Sequence, residues 1–219
     1  MTIFLTGATG FVGRHVLNDL LSKGFNVVAL CRENNADLVK SEKITWIKGS
    51  LGSVSEEDLK GSDVIIHIAA AGVIPGQNDF DEIYKTNFTD FVSLLKKAKN
   101  ASIKRVVVAG TCSEYGSESE KYENVPIEAS LNPIDSYGAS KAAATIAAKA
   151  FAVEYGLELI ILRLFHVYGE GESENRFWPS LKASALSGKD FHMTSGEQIR
   201  DFTPVQFVSK CFLHFAIIE

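Results

Sequence analysis

Thr6-Gly7-Ala8-Thr9-Gly10-Phe11-Val12-Gly13 is the stretch on which the reading of this chain turns. Ahead of it, residues 2–6 form a short apolar run of the kind a buried strand presents. Behind it, Val16, Leu17, Leu20 and Leu21 recur at helical spacing within residues 14–22. Three glycines spaced by two residues, between a strand and a helix, carry a mechanism. They permit a tight turn, bring backbone close to a pyrophosphate, and let the helix pack against its strand with its N-terminus facing the anion. A plain strand–turn–helix is the bland reading. Placement directly after an N-terminal strand favours a dinucleotide site built from Gly7, Thr9, Gly10, Phe11, Val12 and Gly13.

Outward from that stretch, strands and helices alternate. Residues 26–31 read as the second strand, 43–48 as the third, and 63–70 as a continuous apolar run buried on both faces, followed by Ala69-Ala70-Ala71-Gly72. His67 within that run reads as a satisfied core histidine. A loop at 72–79 leads to a long helix at 80–101, where Asn87 is the odd polar member of an apolar face, either exposed or capping a backbone group. A fifth strand at 105–110 delivers Thr111-Cys112-Ser113-Glu114-Tyr115-Gly116 to its C-terminal end, where open parallel sheets place ligands. After an irregular excursion at 118–133, Asp135 or Ser136 caps an alanine-rich helix at 137–155, and the sixth strand is 157–164. The expected fold is α/β, a doubly wound parallel sheet spanning residues 1–165. Residues 166–219 change texture, with a helix at 178–186 and an apolar end at 205–218, and read as a partial second lobe.

Composition bounds the partners. With 22 basic and 27 acidic residues in 219, the net charge is −5, and no basic block offers a surface to nucleic acid or a membrane. No run approaches the roughly 20 apolar residues of a membrane span. The three cysteines, Cys31, Cys112 and Cys211, are dispersed, which suits reduced thiols in a cytoplasmic setting. The histidines at 15, 67, 166, 192 and 214 lack metal-ligand spacing, so no metal is expected.

Two local features speak to chemistry. At the end of the second strand, where a carboxylate would receive the ribose 2′-hydroxyl of NAD, stand Cys31 and Arg32. A guanidinium pairs with a 2′-phosphate, so NADP is the expected cofactor and NAD the second choice. The competing reading makes Arg32 a solvated loop residue, with Glu33 as a partner. The second feature is Tyr137-Gly138-Ala139-Ser140-Lys141, whose spacing puts a phenol and an ammonium on one helix face. A fixed positive charge lowers a phenol's pKa towards an acid/base range. With 6 tyrosines in the chain, the pair carries little weight alone.

Taken together, these residues resemble the extended short-chain dehydrogenase/reductase family, the nucleotide-sugar epimerase/dehydratase type. The matching pieces are the Thr6–Gly13 stretch, His67-Ile68-Ala69-Ala70, Asn87, Thr111, Tyr137-x-x-x-Lys141, Arg163-Leu-Phe-His-Val-Tyr-Gly169 and Gly196-Glu-Gln-Ile-Arg-Asp201. The resemblance implies a Rossmann domain holding NAD(P), with contacts that include Leu51, Ala69 and Ala70. It implies Tyr137 as catalytic acid/base, Lys141 lowering its pKa and holding the nicotinamide ribose, and Thr111 bonding the reacting substrate oxygen. Ser113, His166 and Arg200 would face the nucleotide sugar, and helices 80–101 and 137–155 would pair in a homodimer.

Departures narrow the reaction. The Asp-Glu pair of family dehydratases is replaced by Cys112 and Ser113, with Glu114 displaced by one residue. His166 replaces a usual Asn, and Ser50 a usual adenine-contacting Asp. The family chain normally runs further, so the substrate lobe is expected to be shortened. The reading favoured is reduction of a 4-keto nucleotide sugar. The alternatives are a 4-epimerase and, from another class, a non-catalytic dinucleotide binder or truncated remnant.

Overall fold

The computed structural model describes residues 1–32, 39–73 and 79–218; Glu33 and most of the expected 72–79 loop lie outside the described residues. The chain runs β1 (Thr2–Thr6), α1 (Phe11–Ser22), β2 (Asn26–Cys31), β3 (Ile44–Lys48), α2 (Glu56–Leu59), β4 (Val64–His67) and α3 (Phe80–Tyr84). It continues α4 (Phe91–Asn100), β5 (Arg105–Thr111), α5 (Ser136–Tyr155), β6 (Glu158–Leu164), β7 (His166–Tyr168), α6 (Phe177–Ser187), β8 (Phe202–Pro204) and α7 (Val205–Ile217). Six strands form one parallel sheet in the order β3-β2-β1-β4-β5-β6, and β7 pairs with β8 in a small second sheet. The chain steps outward from β1 to β3, then returns to the other side of β1. That reversal opens a crevice at the carboxyl ends of β1 and β4, the place where a doubly wound sheet receives ligands.

Period-2 alternation explains why the strands read as unbroken apolar runs. Ile3 and Leu5 point to one face with Val64, Ile66, Val107 and Ala109, packed against Leu17 and Leu20 of α1. Phe4 points to the other with Ile65, Val106 and Val108, packed against Leu94 and Leu95 of α4 and Ala144 and Ala148 of α5.

Three expectations change. The strand expected at 63–70 stops at His67; just past it the Thr6 hydroxyl accepts the Ile68 and Ala69 amides (3.1 and 3.2 Å), and Ile68 also donates to the Thr6 carbonyl (3.3 Å). The helix expected at 80–101 contains a π-helical stretch, Lys85–Asp90, between α3 and α4. Asn87 sits in it at 1% exposure, accepting the Ala71 amide (2.8 Å) and donating to the Ala71 carbonyl (3.0 Å) and Ser140 (3.0 Å). Asn87 thus caps backbone and is not exposed. Finally, the apolar end of the chain does not join a second lobe. As α7 it packs on the sheet beside α1, with Val208, Phe212 and Ala216 in the same core as Ile3 and Leu5.

Candidate active site

The glycine stretch forms a cradle that side chains would fill. A Cβ on Gly13 would lie 1.9 Å from the Gly7 carbonyl oxygen, and one on Gly7, whose φ is +74°, would lie 2.7 Å from the Ala69 amide nitrogen. The loop after β1 and the backbone after β4 therefore touch, and α1 opens directly over them. It begins at Phe11, earlier than the periodicity predicts, and its N-terminus has no side-chain cap. The amides of its first turn are thus aimed at an anion site. A dinucleotide pyrophosphate fits this cradle, with Gly7, Thr9, Gly10, Phe11, Val12 and Gly13 around it and half-buried Ala69 and Ala70 across from it. At the far end of the crevice exposed Arg32 lines an open cavity with Gly49, Ser50 and Ser53. Leu51 is only 5% exposed and its side chain belongs to the core, which leaves its backbone as the part available to a ligand.

The expected acid/base set converges at the other end. Asp135 caps α5 by accepting the Gly138 amide (2.6 Å), and a Cβ on Gly138 would stand 2.5 Å from the Ser113 carbonyl oxygen. Glycine there lets α5 close directly onto the segment after β5, bringing Tyr137 to Thr111. Burial pushes the Tyr137 phenol up to about 12; the Thr111 hydroxyl and the more distant Arg176 oppose that, while Cys112 and Glu114 add to it. The expectation that Lys141 lowers the phenol's pKa is corrected here. Lys141 is 4% exposed, and burial pulls its own pKa down to about 8, against the pull of Glu114. Loss of water on burial is the largest cause of both shifts.

His67 supports this corner from below. The Thr6 hydroxyl already accepts two amides, so its hydrogen goes to His67 Nδ1 (2.8 Å), and the neutral ring carries its proton on Nε2. Burial, reinforced by Lys141, lowers the His67 pKa to about 3. The ring stacks on Phe91 at 4.7 Å, and Nε2 has no hydrogen-bond partner among the described residues. It is a core histidine, satisfied on one side.

Glu114 turns inward. Its fully buried carboxylate accepts the Thr111 amide (2.9 Å), the Thr145 hydroxyl (2.8 Å) and Arg163 Nε (2.9 Å), and it faces the interior instead of the cleft. Arg163 also donates to the Tyr115 hydroxyl (2.8 Å). Sequence reasoning had singled out Glu114 only for its displaced position.

Above Tyr137 lies the smaller lobe. Ser113, half-buried, donates its amide to Thr111 Oγ1 (3.2 Å). His166 is held in β7 opposite Phe202. Its pKa is lowered by burial first, then by the charges of Arg200 and Arg176. Arg200 itself is exposed. Two participants escaped the sequence reading because they lie in an aperiodic polar stretch. Arg176 precedes α6 and reaches back to the Val73 carbonyl (2.6 Å), and Glu172 Oε2 is buried without a partner among the described residues. Among the described residues no group of three His, Cys, Asp or Glu is arranged to hold a metal ion, and no helix is long and apolar enough to cross a membrane.

The sequence pattern of the NAD-dependent epimerase/dehydratase family matches residues 3–216. The chain belongs to that family. It is 32% identical to an uncharacterized UDP-glucose epimerase of Bacillus subtilis (strain 168), over 96% of this chain and 70% of the relative. It is 29% identical to the dTDP-6-deoxy-L-talose 4-dehydrogenase (NAD(+)) of Aggregatibacter actinomycetemcomitans, over 95% and 77%. Among solved structures, MoeE5 in complex with UDP-glucose and NAD superposes with a TM-score of 0.85 at 32% identity, covering all of this chain and 72% of MoeE5. The family's enzymes act on nucleotide sugars, and the parallel sheet with flanking helices is the fold they share.

Proposed function

We propose that this chain reduces a 4-keto nucleotide sugar, with the dinucleotide lying across Gly7–Gly13 and the sugar between Tyr137 and the lobe carrying His166, Arg176 and Arg200. The observation that carries the reading is the state of the Thr111–Glu114 segment. A dehydratase needs free carboxylates beside the sugar, whereas Glu114 is sealed under the site by three donors and Cys112 and Ser113 carry no charge to take its place. What remains at the reacting oxygen is a hydroxyl pair, Thr111 and Tyr137. A phenol with a pKa of about 12 stays protonated through the neutral range, the form required to give a proton to a carbonyl oxygen.

In this reading the bound dinucleotide supplies the hydride. Tyr137 Oη delivers its proton to the same carbonyl's oxygen, Thr111 Oγ1 donates a hydrogen bond to that oxygen, and Lys141 provides an ammonium for the ribose. Arg200 and Arg176 supply positive charge for the diphosphate. The lobe, residues 166–204, serves as the substrate side, and residues 1–165 with α7 as the dinucleotide side.

A 4-epimerase is the second reading, favoured by the name of the Bacillus subtilis relative, an uncharacterized UDP-glucose epimerase. The two differ in stoichiometry. Reduction consumes one reduced dinucleotide per sugar, and epimerisation consumes none. Incubating the protein with reduced dinucleotide and a panel of 4-keto nucleotide sugars, while following absorbance at the nicotinamide band, separates them. Tyr137→Phe is expected to abolish turnover with cofactor affinity retained; full turnover by that variant overturns the assignment. On the cofactor, Arg32 beside Ser50 and Ser53 supports NADP, whereas MoeE5 binds NAD. We also propose a homodimer through α4 and α5, where Ile146 and Val153, two turns apart on α5, stand 60% and 87% exposed. Sedimentation of the protein checks this, and a monomer at micromolar concentration overturns it.

A further inference from the structure

Glu114 is the most deeply buried acid near the site, and nothing in the proposed chemistry uses it directly. Its two oxygens meet three donors from three elements: the Thr111 amide on β5, the Thr145 hydroxyl on α5, and Arg163 Nε on β6. Only an ionised carboxylate accepts all three, because a glutamine would turn its NH2 group onto at least one donor. The surroundings are fitted to it. A Cβ on Gly110 would lie 2.7 Å from Glu114 Oε1, so the strand accepts the carboxylate only with glycine there. Thr145 follows Tyr137 and Lys141 on the same face of α5, two turns and one turn later. The carboxylate therefore ties the strand end that carries Thr111 to the helix that carries Tyr137 and Lys141. A buried ion pair is poor evidence of a contribution to stability, since packed apolar groups often do as well. Its geometry is the better account.

We propose that Glu114 is a positioning residue: by clamping β5, α5 and β6 to one carboxylate it sets the Thr111 hydroxyl in register with Tyr137 for catalysis. This rests on the assignment of Thr111 and Tyr137 given above. The Thr111 side chain is already turned by its own cap on Ser113, and the Glu114 bond to the Thr111 amide completes a reciprocal capping box there. Loss of the carboxylate frees that turn at the reacting oxygen. Misplacement of a catalytic group by about 1 Å costs up to about 100-fold in rate.

The test compares Glu114→Gln and Thr145→Val with the wild type by two readouts. One is kcat and KM for a 4-keto nucleotide sugar. The other, independent of activity, is the Thr111 amide proton in isotopically labelled protein. Positioning predicts that Glu114→Gln lowers kcat about tenfold or more with KM and dinucleotide affinity within about twofold, and moves the Thr111 amide upfield as its charge-assisted bond is lost. Thr145→Val, close in shape, shows a smaller loss in the same direction. Folded variants with wild-type kcat, or with an unmoved Thr111 amide, overturn the proposal. If Glu114→Gln does not fold, Thr145→Val decides by the same criteria. If the wild type reduces no keto sugar, the assigned reaction is wrong, and the Thr111 amide alone decides whether the clamp exists.

Discussion

Lys141 is a cation held at 4% exposure, its pKa brought from 10.5 to about 8 by burial. Between those two values the unfolded chain still binds a proton that the folded chain has released, so this residue makes stability rise with pH across that window. At pH 7 both states are protonated and the full cost of burying the charge, about 3 kcal/mol, is present. Lys141→Met is therefore expected to be more stable than wild type at pH 7 by up to about 3 kcal/mol, with the gain fading towards pH 10.5 and turnover lost. Urea denaturation at the two pH values checks it, and a variant less stable at pH 7 refutes it. Tyr137 runs the other way. Its folded pKa lies above the free value of 10.0, so the unfolded chain loses this proton first and stability falls as pH rises past 10. At the other end of the crevice, Arg32→Ala is expected to weaken NADPH binding about tenfold or more while changing NADH binding less than about threefold. Equal losses for the two cofactors, measured by titration, would remove Arg32 as the discriminating residue.

At the scale of elements, what was legible in the sequence is what depends on local pattern. Strand alternation, the glycine cradle and the Asp135 cap are written in neighbouring residues, and the Tyr137–Lys141 pair follows from helix spacing. What was not legible depends on partners far along the chain. The Thr6 hydroxyl meets the backbone just past β4 through a contact 62 residues away, and Asn87 finds Ala71 and Ser140 only once three elements have come together. Glu114 reads only as an acid displaced by one residue, and its buried role emerges when Thr145 and Arg163 arrive. Periodicity at 80–101 shows a helix but not its π-helical stretch, because the buried Ile83, Asn87, Phe91, Leu94 and Ala98 keep spacings of three and four across it. That stretch places Asn87 over Ala71, so Asn87→Ala leaves both the amide and the carbonyl of Ala71 without their side-chain partner. A loss of about 2–4 kcal/mol is expected by thermal or chemical denaturation. A loss under about 1 kcal/mol would mean that water replaces the amide readily.

At the scale of the whole molecule, the last helix belongs to the sheet and not to the lobe that precedes it. Phe212 is 0% exposed among residues of β1, β4 and α1, and Ser209 donates to Asp19 of α1 at 2.5 Å. The chain thus leaves the sheet at Leu164, builds β7, α6 and β8, and returns to finish the face it left. The lobe is tied at discrete points, His15 Nε2 to the Glu170 carbonyl (2.8 Å) and Arg176 to Val73 (2.6 Å), and its aromatic cluster stays open. Phe177, Trp178 and Phe202 are 40%, 42% and 38% exposed, so their burial contributes less than that of a core ring. The two parts should therefore respond differently to the same truncation. Phe212→Ala is expected to cost about 3–5 kcal/mol, through lost burial and the cavity left between α7 and the sheet, and to lower dinucleotide affinity with it. Trp178→Ala should cost well under half of that in global stability, yet weaken the nucleotide sugar, because its ring packs in the lobe that carries His166 and Phe202. Denaturation and ligand titration on the two variants give a crossed pattern if α7 completes the sheet; equal stability losses would place α7 with the lobe after all.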